Sequence, residues 1–446
     1  MKKKIVCLGC ILFLFLMTGC KDFLSEKSDS RLATPTTLAD NQALLDHYNM
    51  NNQVNMSSEI LSGDIYVSDA DYNGVYYEAE KRLYTWQGDR VAPENGNDWM
   101  GCYQKINICN NVLHNIKTYG IRDSDNVRGQ ALVFRASLYL EAAQLWCLVY
   151  DKNTAAKELG LPLRLDPDMN IVSVRSTLQQ TYDQILRDLH EAVSLLPVNQ
   201  ISVSRPSKVA ALGLLARAYL YMGDYEKSLL YGKQALGYYH TLLDFNTLNA
   251  EDSYPMKNLN AEVLFPSYMS SSPLLAVTAA KIPLDFFASY AVDDLRRTIF
   301  FRKNGMGDIF FKGNYSGAAA RTAVLGTDEL YLTVAESYAV TGDTVNAMKL
   351  LNQLLITRWR KGTFINYTAS DPQEALALIR KERRKELIFR GLRWADLKRY
   401  NRDGAHITLT RTVEGKIYTL PPNDLRYAVA IPEDVIKLSG MPQNRR

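Results

Sequence analysis

Two segments of this chain, 205–236 and 327–358, repeat one spacing of small, aromatic and glycine residues, and this repeat limits the possible folds most strongly. The matching positions are Ala216, Tyr219, Gly223, Asp224 and Ser228 in the first segment and Ala335, Tyr338, Gly342, Asp343 and Ala347 in the second. A small side chain lets two helices cross closely, and glycine suits the turn that ends a helix. Each segment is therefore predicted to form a helix, a tight turn and a second helix.

This spacing is typical of tetratricopeptide repeats, in which each helical pair stacks on its neighbours to bury its apolar face. Residues 99–149 show a degenerate version of the pattern, and helical periodicity also covers 177–195 and 372–400. We therefore predict an all-α fold, in which a tetratricopeptide-like helix-turn-helix scaffold carries long irregular loop excursions.

Two stretches lack helical periodicity. The first, 50–98, is rich in Gly, Asn, Asp and Tyr, and the second, 240–326, is interrupted by several prolines. Irregular segments of this length in compact proteins usually carry function. By contrast, the charged run 380–386 mixes both signs at helical spacing, which indicates a solvated or ion-paired helix face.

The first twenty residues have the pattern of a lipoprotein signal. Three lysines precede an apolar run that is too short to remain as a spanning helix, and the run leads to Gly19-Cys20. Residues 1–19 are therefore predicted to be a signal peptide, with Cys20 as the lipidated first residue of the mature chain. The alternative is an ordinary secretory signal cut elsewhere. Residues 20–37 are polar and are interpreted as a tether.

Composition narrows the choice of partner. Three of the four net positive charges belong to the lysines of the signal, so the mature chain is nearly neutral and nucleic acid is not an expected partner. Besides Cys20, the mature chain keeps Cys102, Cys109 and Cys147. Cys102 and Cys109 share a predicted helix face and are expected to be buried apolar residues. No later segment is apolar enough to predict a transmembrane helix.

Five blocks of sequence follow one another in an order typical of one family. They are the start at 20–24, the helix at 99–113, the repeat at 205–236, the segment 379–400 and the ending at 422–444. The most specific block is 379–400, which reads E-R-R-x-E-L and then G-x-R-W-x-D-L-x-R. With these blocks the chain resembles the SusD/RagB family of outer-membrane nutrient-uptake lipoproteins. It departs from the family pattern at Arg390, where an acidic residue usually precedes the glycine, and the departure concerns one local ion pair.

The resemblance implies a binding protein and not an enzyme. Members of this family sit on the cell surface, anchored by lipid in the outer membrane, and deliver glycans or other nutrients to a SusC-like TonB-dependent transporter. The resemblance also implies an N-terminal part at 38–239, with the helical pairs, and a C-terminal part at 240–446. Carbohydrate binding and membrane attachment through Cys20 are therefore the expected properties.

Exposed aromatic and polar residues on the excursions are the candidate ligand contacts. Aromatic rings can stack on the apolar faces of a sugar, while Asp, Asn and Arg can bind its hydroxyl groups. The candidates in the first excursion are Asp64, Tyr66, Asp69, Asp71, Tyr72, Tyr76, Tyr77 and Trp86. The candidates in the second excursion are Tyr290, Arg296, Asn314 and Tyr315.

One segment of the first excursion also fits the calcium-loop pattern D-x-D-x-N-G-x₅-E. The residues concerned are Asp69, Asp71, Asn73, Gly74 and Glu80. Alternating oxygen ligands and a turn glycine can encircle calcium. The preceding residues form a poor entering helix, however, and no second loop accompanies this one. An acidic aromatic loop without a metal is therefore favoured, and no cofactor is predicted.

Two other classes of protein are weighed against a nutrient-binding lipoprotein. A surface glycosidase would need two positioned carboxylates, and no motif singles out such a pair. A tetratricopeptide adaptor lipoprotein that binds only protein would not require long aromatic excursions. A glycan array together with a pull-down separates the adaptor from the nutrient-binding protein.

Overall fold

The computed structural model describes residues 34–52, 56–94 and 96–446, and most of the regular structure in these ranges is helical. The helices are α1 (Leu38–Asp46), α2 (Met56–Leu61), α3 (Asp69–Asn73), α4 (Glu78–Tyr84), α5 (Asp98–Thr118), α6 (Asp125–Trp146), α7 (Leu178–Leu195), α8 (Lys208–Met222), α9 (Tyr225–Tyr238), α10 (Leu284–Ala288), α11 (Arg296–Ile299), α12 (Thr327–Val340), α13 (Thr344–Leu355), α14 (Pro372–Glu386), α15 (Arg393–Arg402) and α16 (Glu433–Ser439). The predicted all-α fold class is confirmed.

The strands are short and pair only in antiparallel twos. They are β1 (Leu159–Pro162) with β2 (Arg175–Thr177), β3 (Val263–Phe265) with β6 (Leu325–Gly326), β4 (Phe301–Lys303) with β5 (Ile309–Phe311), and β7 (Leu409–Val413) with β8 (Lys416–Leu420). The β3–β6 pair joins an inner part of the second excursion to its C-terminal end, and the β7–β8 hairpin follows α15. These strand pairs hold irregular segments against the helical scaffold.

The two repeat segments form the predicted helical pairs, α8–α9 and α12–α13. Each turn contains a glycine with a left-handed backbone, Gly223 at φ +80° and Gly342 at φ +91°. The next residue in each turn, Asp224 or Asp343, accepts a hydrogen bond from the backbone N–H three positions later and so caps the second helix. The same turn chemistry therefore builds both pairs.

Successive helices pack side by side from α5 to α9 and onward through α12, α13 and α14. One large apolar core runs through this stack, and a smaller cluster fills the space among α12, α13 and α14. The close approach of α9 to α12 depends on Gly232, where a Cβ atom would lie 2.5 Å from a methyl group of Val334. Helices α8 and α12 are buried on almost every side.

Most of the charged run of α14 is buried or half-buried and ion-paired. Glu382 and Glu386 both bind Arg296, at 2.6 and 3.0 Å. On the neighbouring helix α15, Arg399 holds Glu336 of α12 with two hydrogen bonds of 2.6 and 2.7 Å. Burial alone would raise the pKa of Glu336, but the Arg399 guanidinium reverses this effect and lowers the pKa to about 2. The two glutamate pairs connect α14 to the second excursion, and the Arg399–Glu336 pair connects α15 to α12.

Several smaller predictions concern burial. Cys102 and Cys109 are buried, as predicted, and so are Cys147, Trp99 and Trp394. Within the described ranges, no helix combines the length and the apolar character needed to cross a bilayer. Cys20, the predicted lipidation site, lies outside the described residues.

Candidate ligand-binding surface

The most exposed aromatic side chains of the first excursion lie in the turn between α3 and α4. Tyr76 is 88% exposed and Tyr77 is 51% exposed. Their rings meet edge to face, with centroids 5.1 Å apart. Rings exposed to this extent offer their faces to a ligand, because little protein covers them. We call Tyr76 and Tyr77 the tyrosine pair.

The β7–β8 hairpin supports α3, the helix that leads into the tyrosine pair. The Ser68 hydroxyl caps α3 by accepting a hydrogen bond from the N–H of Asp71, at 3.1 Å. At the hairpin turn, the N–H of Glu414 donates to Asp69, and the Asn73 amide donates to the Glu414 carboxylate, each at 2.8 Å. A distant part of the chain therefore fixes the position of this surface.

A buried layer beneath the surface holds the hairpin against α4. The Arg411 guanidinium lies 3.9 Å from the ring centroid of Tyr84 and 4.5 Å from that of Trp86. It also donates to the carbonyl of Ile60 at 2.7 Å. Burial lowers the pKa of Arg411 to about 10, so the group stays cationic at neutral pH.

Tyr66 and Tyr72 lie at lower exposure than the tyrosine pair. Tyr72 is half-buried, with the Lys81 ammonium 5.7 Å from its ring centroid. Burial and the neighbouring Tyr418 raise the pKa of the Tyr72 hydroxyl. Tyr66 is partly exposed, and its backbone pairs with Lys281. The surface thus offers ring faces, hydroxyl groups and a cation, which suits binding by stacking and hydrogen bonds.

Asp64 and Trp86, predicted as ligand contacts, are corrected to interior residues. Asp64 pairs with Arg384 at 2.7 Å and faces Arg393 at 3.8 Å. The Trp86 indole N–H donates to the carbonyl of Leu61 at 3.2 Å. Both side chains are almost fully buried, because the arginines of α14 and α15 and the β7–β8 hairpin cover them.

Tyr290 and Arg296, in the second excursion, are likewise corrected, because they bind α14 and do not face solvent. The Tyr290 hydroxyl donates to the carbonyl of Lys385 at 2.8 Å. Arg296 is fully buried and pairs with Asp294 at 2.8 Å and with Glu382 at 2.6 Å. The same residue types that would suit a sugar here complete a buried charge network.

Asn314 and Tyr315 are also buried, so neither is an exposed ligand contact. The Tyr315 hydroxyl lies 2.8 Å from a Glu262 oxygen and 3.1 Å from an Asp328 oxygen. Arg390 stacks on the Tyr315 ring at 4.3 Å and pairs with Asp328 at 3.0 Å. Arg390, at which the chain departs from the family pattern, therefore forms an ion pair with Asp328, 62 positions earlier in the chain.

The calcium-loop pattern folds into a different shape from a calcium loop. Asp69–Asn73 form the short helix α3, and the Asp71 carboxylate accepts from the Ser68 hydroxyl at 2.5 Å. Glu80 is buried and accepts from the Ser272 hydroxyl at 2.5 Å. In the described ranges, no three His, Cys, Asp or Glu side chains come together as metal ligands. The calcium hypothesis has no support from this geometry.

The β7–β8 hairpin was missed in the sequence as part of this surface. Its signal is the Glu414-Gly415 turn, in which Gly415 adopts φ +75°, between two five-residue runs rich in β-branched residues. The hairpin also brings Tyr418 near Tyr72, with the Lys416 ammonium 4.8 Å from the Tyr418 ring centroid.

Two family models match the chain. One, described as starch-binding associating with outer membrane, matches residues 22–220, and the other, described as the SusD family, matches residues 313–434. This chain belongs to the SusD/RagB family. The tetratricopeptide-like helical pairs agree with that assignment, and the second pair, α12–α13, lies within the matched range 313–434. No curated protein sequence matches the chain significantly.

Solved structures of the same superfamily have the same fold. A SusD superfamily protein from Bacteroides thetaiotaomicron VPI-5482 aligns with a TM-score of 0.74 at 21% identity, over 92% of this chain and 100% of that one. A SusD-like carbohydrate binding protein from Bacteroides vulgatus ATCC 8482 aligns with a TM-score of 0.67 at 19% identity, over 90% and 96% of the two chains. A superfamily member from Bacteroides fragilis aligns with a TM-score of 0.72 at 20% identity, over 92% and 99%.

Proposed function

We propose that this chain is a cell-surface lipoprotein that binds a glycan or a similar nutrient and delivers it to a SusC-like TonB-dependent transporter. The observation that carries the glycan-binding part is the exposed tyrosine pair on a braced surface in a member of the SusD/RagB family. The protein holds its ligand by contact and performs no reaction on it.

The chemistry of the surface favours a sugar. Tyr76 and Tyr77 present ring faces for stacking on apolar C–H groups, and their hydroxyls can exchange hydrogen bonds with those of a sugar. Asp69 and Asp71 already bind the hairpin and the Ser68 cap, so they act mainly as supports. A support that is fixed before binding reduces the entropy lost when the ligand docks.

A glycan array followed by calorimetry tests the binding. The double variant Tyr76→Ala/Tyr77→Ala is expected to lose about 1–2 kcal/mol of binding free energy, roughly a five- to thirtyfold weaker affinity. Tyr238→Ala, at the end of α9, is a control with similar exposure to Tyr77 and should keep the affinity. Equal losses in both variants, or no glycan bound by the parent chain, would contradict this surface.

The attachment and delivery steps require separate tests. Cys20→Ala is expected to release the protein from membranes, since the acyl chains would have no sulfur to join. A Cys20→Ala variant that stayed fully membrane-bound would place the anchor elsewhere. For delivery, a pull-down from solubilised outer membranes should retain a TonB-dependent barrel, and loss of that barrel should stop nutrient uptake.

The adaptor alternative has a specific difficulty in this fold. An adaptor needs an open groove along its helical pairs. Helices α9, α13 and α14 pack against α12, however, and α12 is buried on almost every side. An adaptor would retain a protein partner while binding no sugar on the array. That result would replace the proposed function.

A further inference from the structure

The N-terminal segment leaves the helical stack at one defined end. The Pro35 carbonyl accepts from the Asn41 amide at 3.1 Å, and Asn41 in turn accepts from Asn115 near the C-terminus of α5 at 3.0 Å. Gln42 donates to Gln130, in the second turn of α6, at 2.9 Å. Helix α1 therefore begins where α5 stops and α6 starts. We call this the tether end of the stack.

A loop with an exposed isoleucine lies at the tether end. This loop connects α7 and α8, and Gln200 fixes it to Asn126, in the first turn of α6, with a hydrogen bond of 2.7 Å. An ion pair of 2.6 Å joins Arg205 of the same loop to Asp46 of α1. Between these two attachments, Ile201 is 84% exposed.

The β1–β2 loop brings a second apolar group toward the same end. The Pro162 carbonyl accepts from Tyr103 at 3.0 Å and the Arg164 carbonyl accepts from Asn110 at 2.8 Å, so the chain leaving β1 runs toward the C-terminus of α5. The Arg164 guanidinium then donates to carbonyls of the loop and holds it in place. Met169 in this loop is 82% exposed. The exposed apolar residues of the loop are Leu165, Met169, Ile171, Val172 and Val174.

The length of the tether decides which side of the protein faces the membrane. Fourteen steps separate Cys20 from Thr34, the first described residue, and they span at most about 50 Å when fully extended. A folded chain of this size has a radius of gyration of about 22 Å and is roughly 55 Å across. A lipid on Cys20 therefore cannot reach the far side of the protein, so the tether end lies on the half of the protein that is nearer the bilayer.

We propose that the tether end is a lipid-contact surface, at which Ile201 and the apolar β1–β2 loop enter the headgroup region of the membrane. The proposal rests on the lipidation of Cys20 in the proposed function. Exposed apolar groups beside a lipid anchor add contact with the bilayer and fix the orientation of the protein. Exposed apolar side chains on two separate loops indicate an apolar partner more strongly than a single exposed side chain does.

The orientation has a consequence for the tyrosine pair. Helix α2 meets α5 at its other end, where the N–H of Ser57 donates to Asp98 at 2.9 Å, and α4 packs against α2. The turn that carries Tyr76 and Tyr77 leads directly into α4. With the tether end on the lipid, the candidate glycan surface would point away from the membrane, toward incoming ligand.

A site-specific fluorophore tests the contact on the lipidated full chain in vesicles of phosphatidylethanolamine and phosphatidylglycerol. The described native cysteines are buried, so a single introduced cysteine can be labelled with an environment-sensitive dye. Met169→Cys and Ile201→Cys report on the tether end. Val345→Cys and Leu438→Cys are controls, because these residues are 79% and 86% exposed and lie toward the other end of the stack.

The expected result is a blue-shifted emission and a loss of iodide quenching at both tether-end positions and at neither control. Any other pattern overturns the lipid-contact surface, including a shift that appears only when a partner protein is added to the vesicles. Flotation of the protein with the vesicles is measured first. Failure to float would contradict lipidation itself, whereas flotation without the shifts would contradict only the contact surface.

Discussion

The two excursions have similar aromatic and polar residues, yet one remains open and the other is closed. In the first, Tyr76 and Tyr77 project into solvent beside a short hairpin. In the second, Tyr290 and Tyr315 are buried, and their hydroxyls bind protein groups. The difference lies in the neighbouring segments. Helix α14 and its surroundings place arginines and carboxylates around the second excursion, whereas no such network among the described residues covers the tyrosine pair.

This comparison shows that composition alone does not identify a binding surface. A tyrosine hydroxyl or a guanidinium can be buried when an oppositely charged or hydrogen-bonding group meets it, because the partner offsets the cost of desolvation. Arg296 meets three carboxylates in this way, those of Asp294, Glu382 and Glu386. If burial of these groups decides their role, the closed excursion supports stability while the open one supports binding.

The largest expected effect is on the closed excursion. Arg296→Ala would remove a cation that three buried carboxylates share, and we expect a loss of about 3–5 kcal/mol in the free energy of unfolding. Arg360→Ala is the control, because that arginine pairs with Asp293 on the surface, where a loss of at most about 1 kcal/mol is expected. Urea denaturation measures both. Equal losses would mean that the network contributes no more than a surface pair.

Acid should weaken the same interior. The pKa of Glu336 is lowered from 4.5 in the unfolded chain to about 2 in the folded protein, so the unfolded chain takes up the proton first. This carboxylate therefore stabilises the fold above about pH 4.5, and its contribution is lost as the pH falls toward 2. Glu336→Gln should cost stability at neutral pH, and the difference from the parent should narrow in acid. Glu226→Gln, on an exposed part of α9, should show no such trend.

Substituting one tyrosine in each excursion tests whether stability and glycan binding depend on different residues. Tyr315→Phe removes the hydroxyl between the buried Glu262 and Asp328 carboxylates, and we expect a loss of about 1–3 kcal/mol in unfolding free energy with no change in glycan affinity. Tyr76→Ala should leave stability within about 0.5 kcal/mol of the parent and weaken the glycan complex. If Tyr315→Phe weakened glycan binding without unfolding the protein, the second excursion would belong to the site.

The repeat and the family blocks predicted the fold because their signals are local. Gly223 and Gly342 mark turns whose chemistry is complete within a few residues, so spacing alone identifies both helical pairs. The charged run of α14 was predicted as solvated or ion-paired, and its partners decide in favour of the second. Those partners, such as Arg296, lie far away in sequence.

The candidate site was predicted only in part for the same reason. Tyr76 and Tyr77 stay exposed, but Asp64 and Trp86 are covered by segments more than 300 residues later in the chain, including Arg384 and Arg411. Local sequence carries no record of such long-range contacts. The hairpin that braces α3 was not predicted because its two strands show little alternation of apolar and polar residues.

The smallest effect concerns Asp69, where the open excursion meets the hairpin. Asp69→Ala removes the acceptor for the Glu414 N–H, and a loss of about 0.5–1.5 kcal/mol in unfolding free energy is expected. Asp69→Asn keeps an acceptor oxygen and should regain most of that loss. Calorimetry with calcium separates this bracing role from the metal hypothesis, because Asp69→Asn keeps the brace but removes a charge that would strengthen calcium binding. Since Asp69–Asn73 form a helix, no heat of calcium binding is expected in the parent chain. Heat in the parent that disappeared in both variants would mean that this segment unwinds to bind the ion, and the tyrosine pair would then depend on calcium for its position.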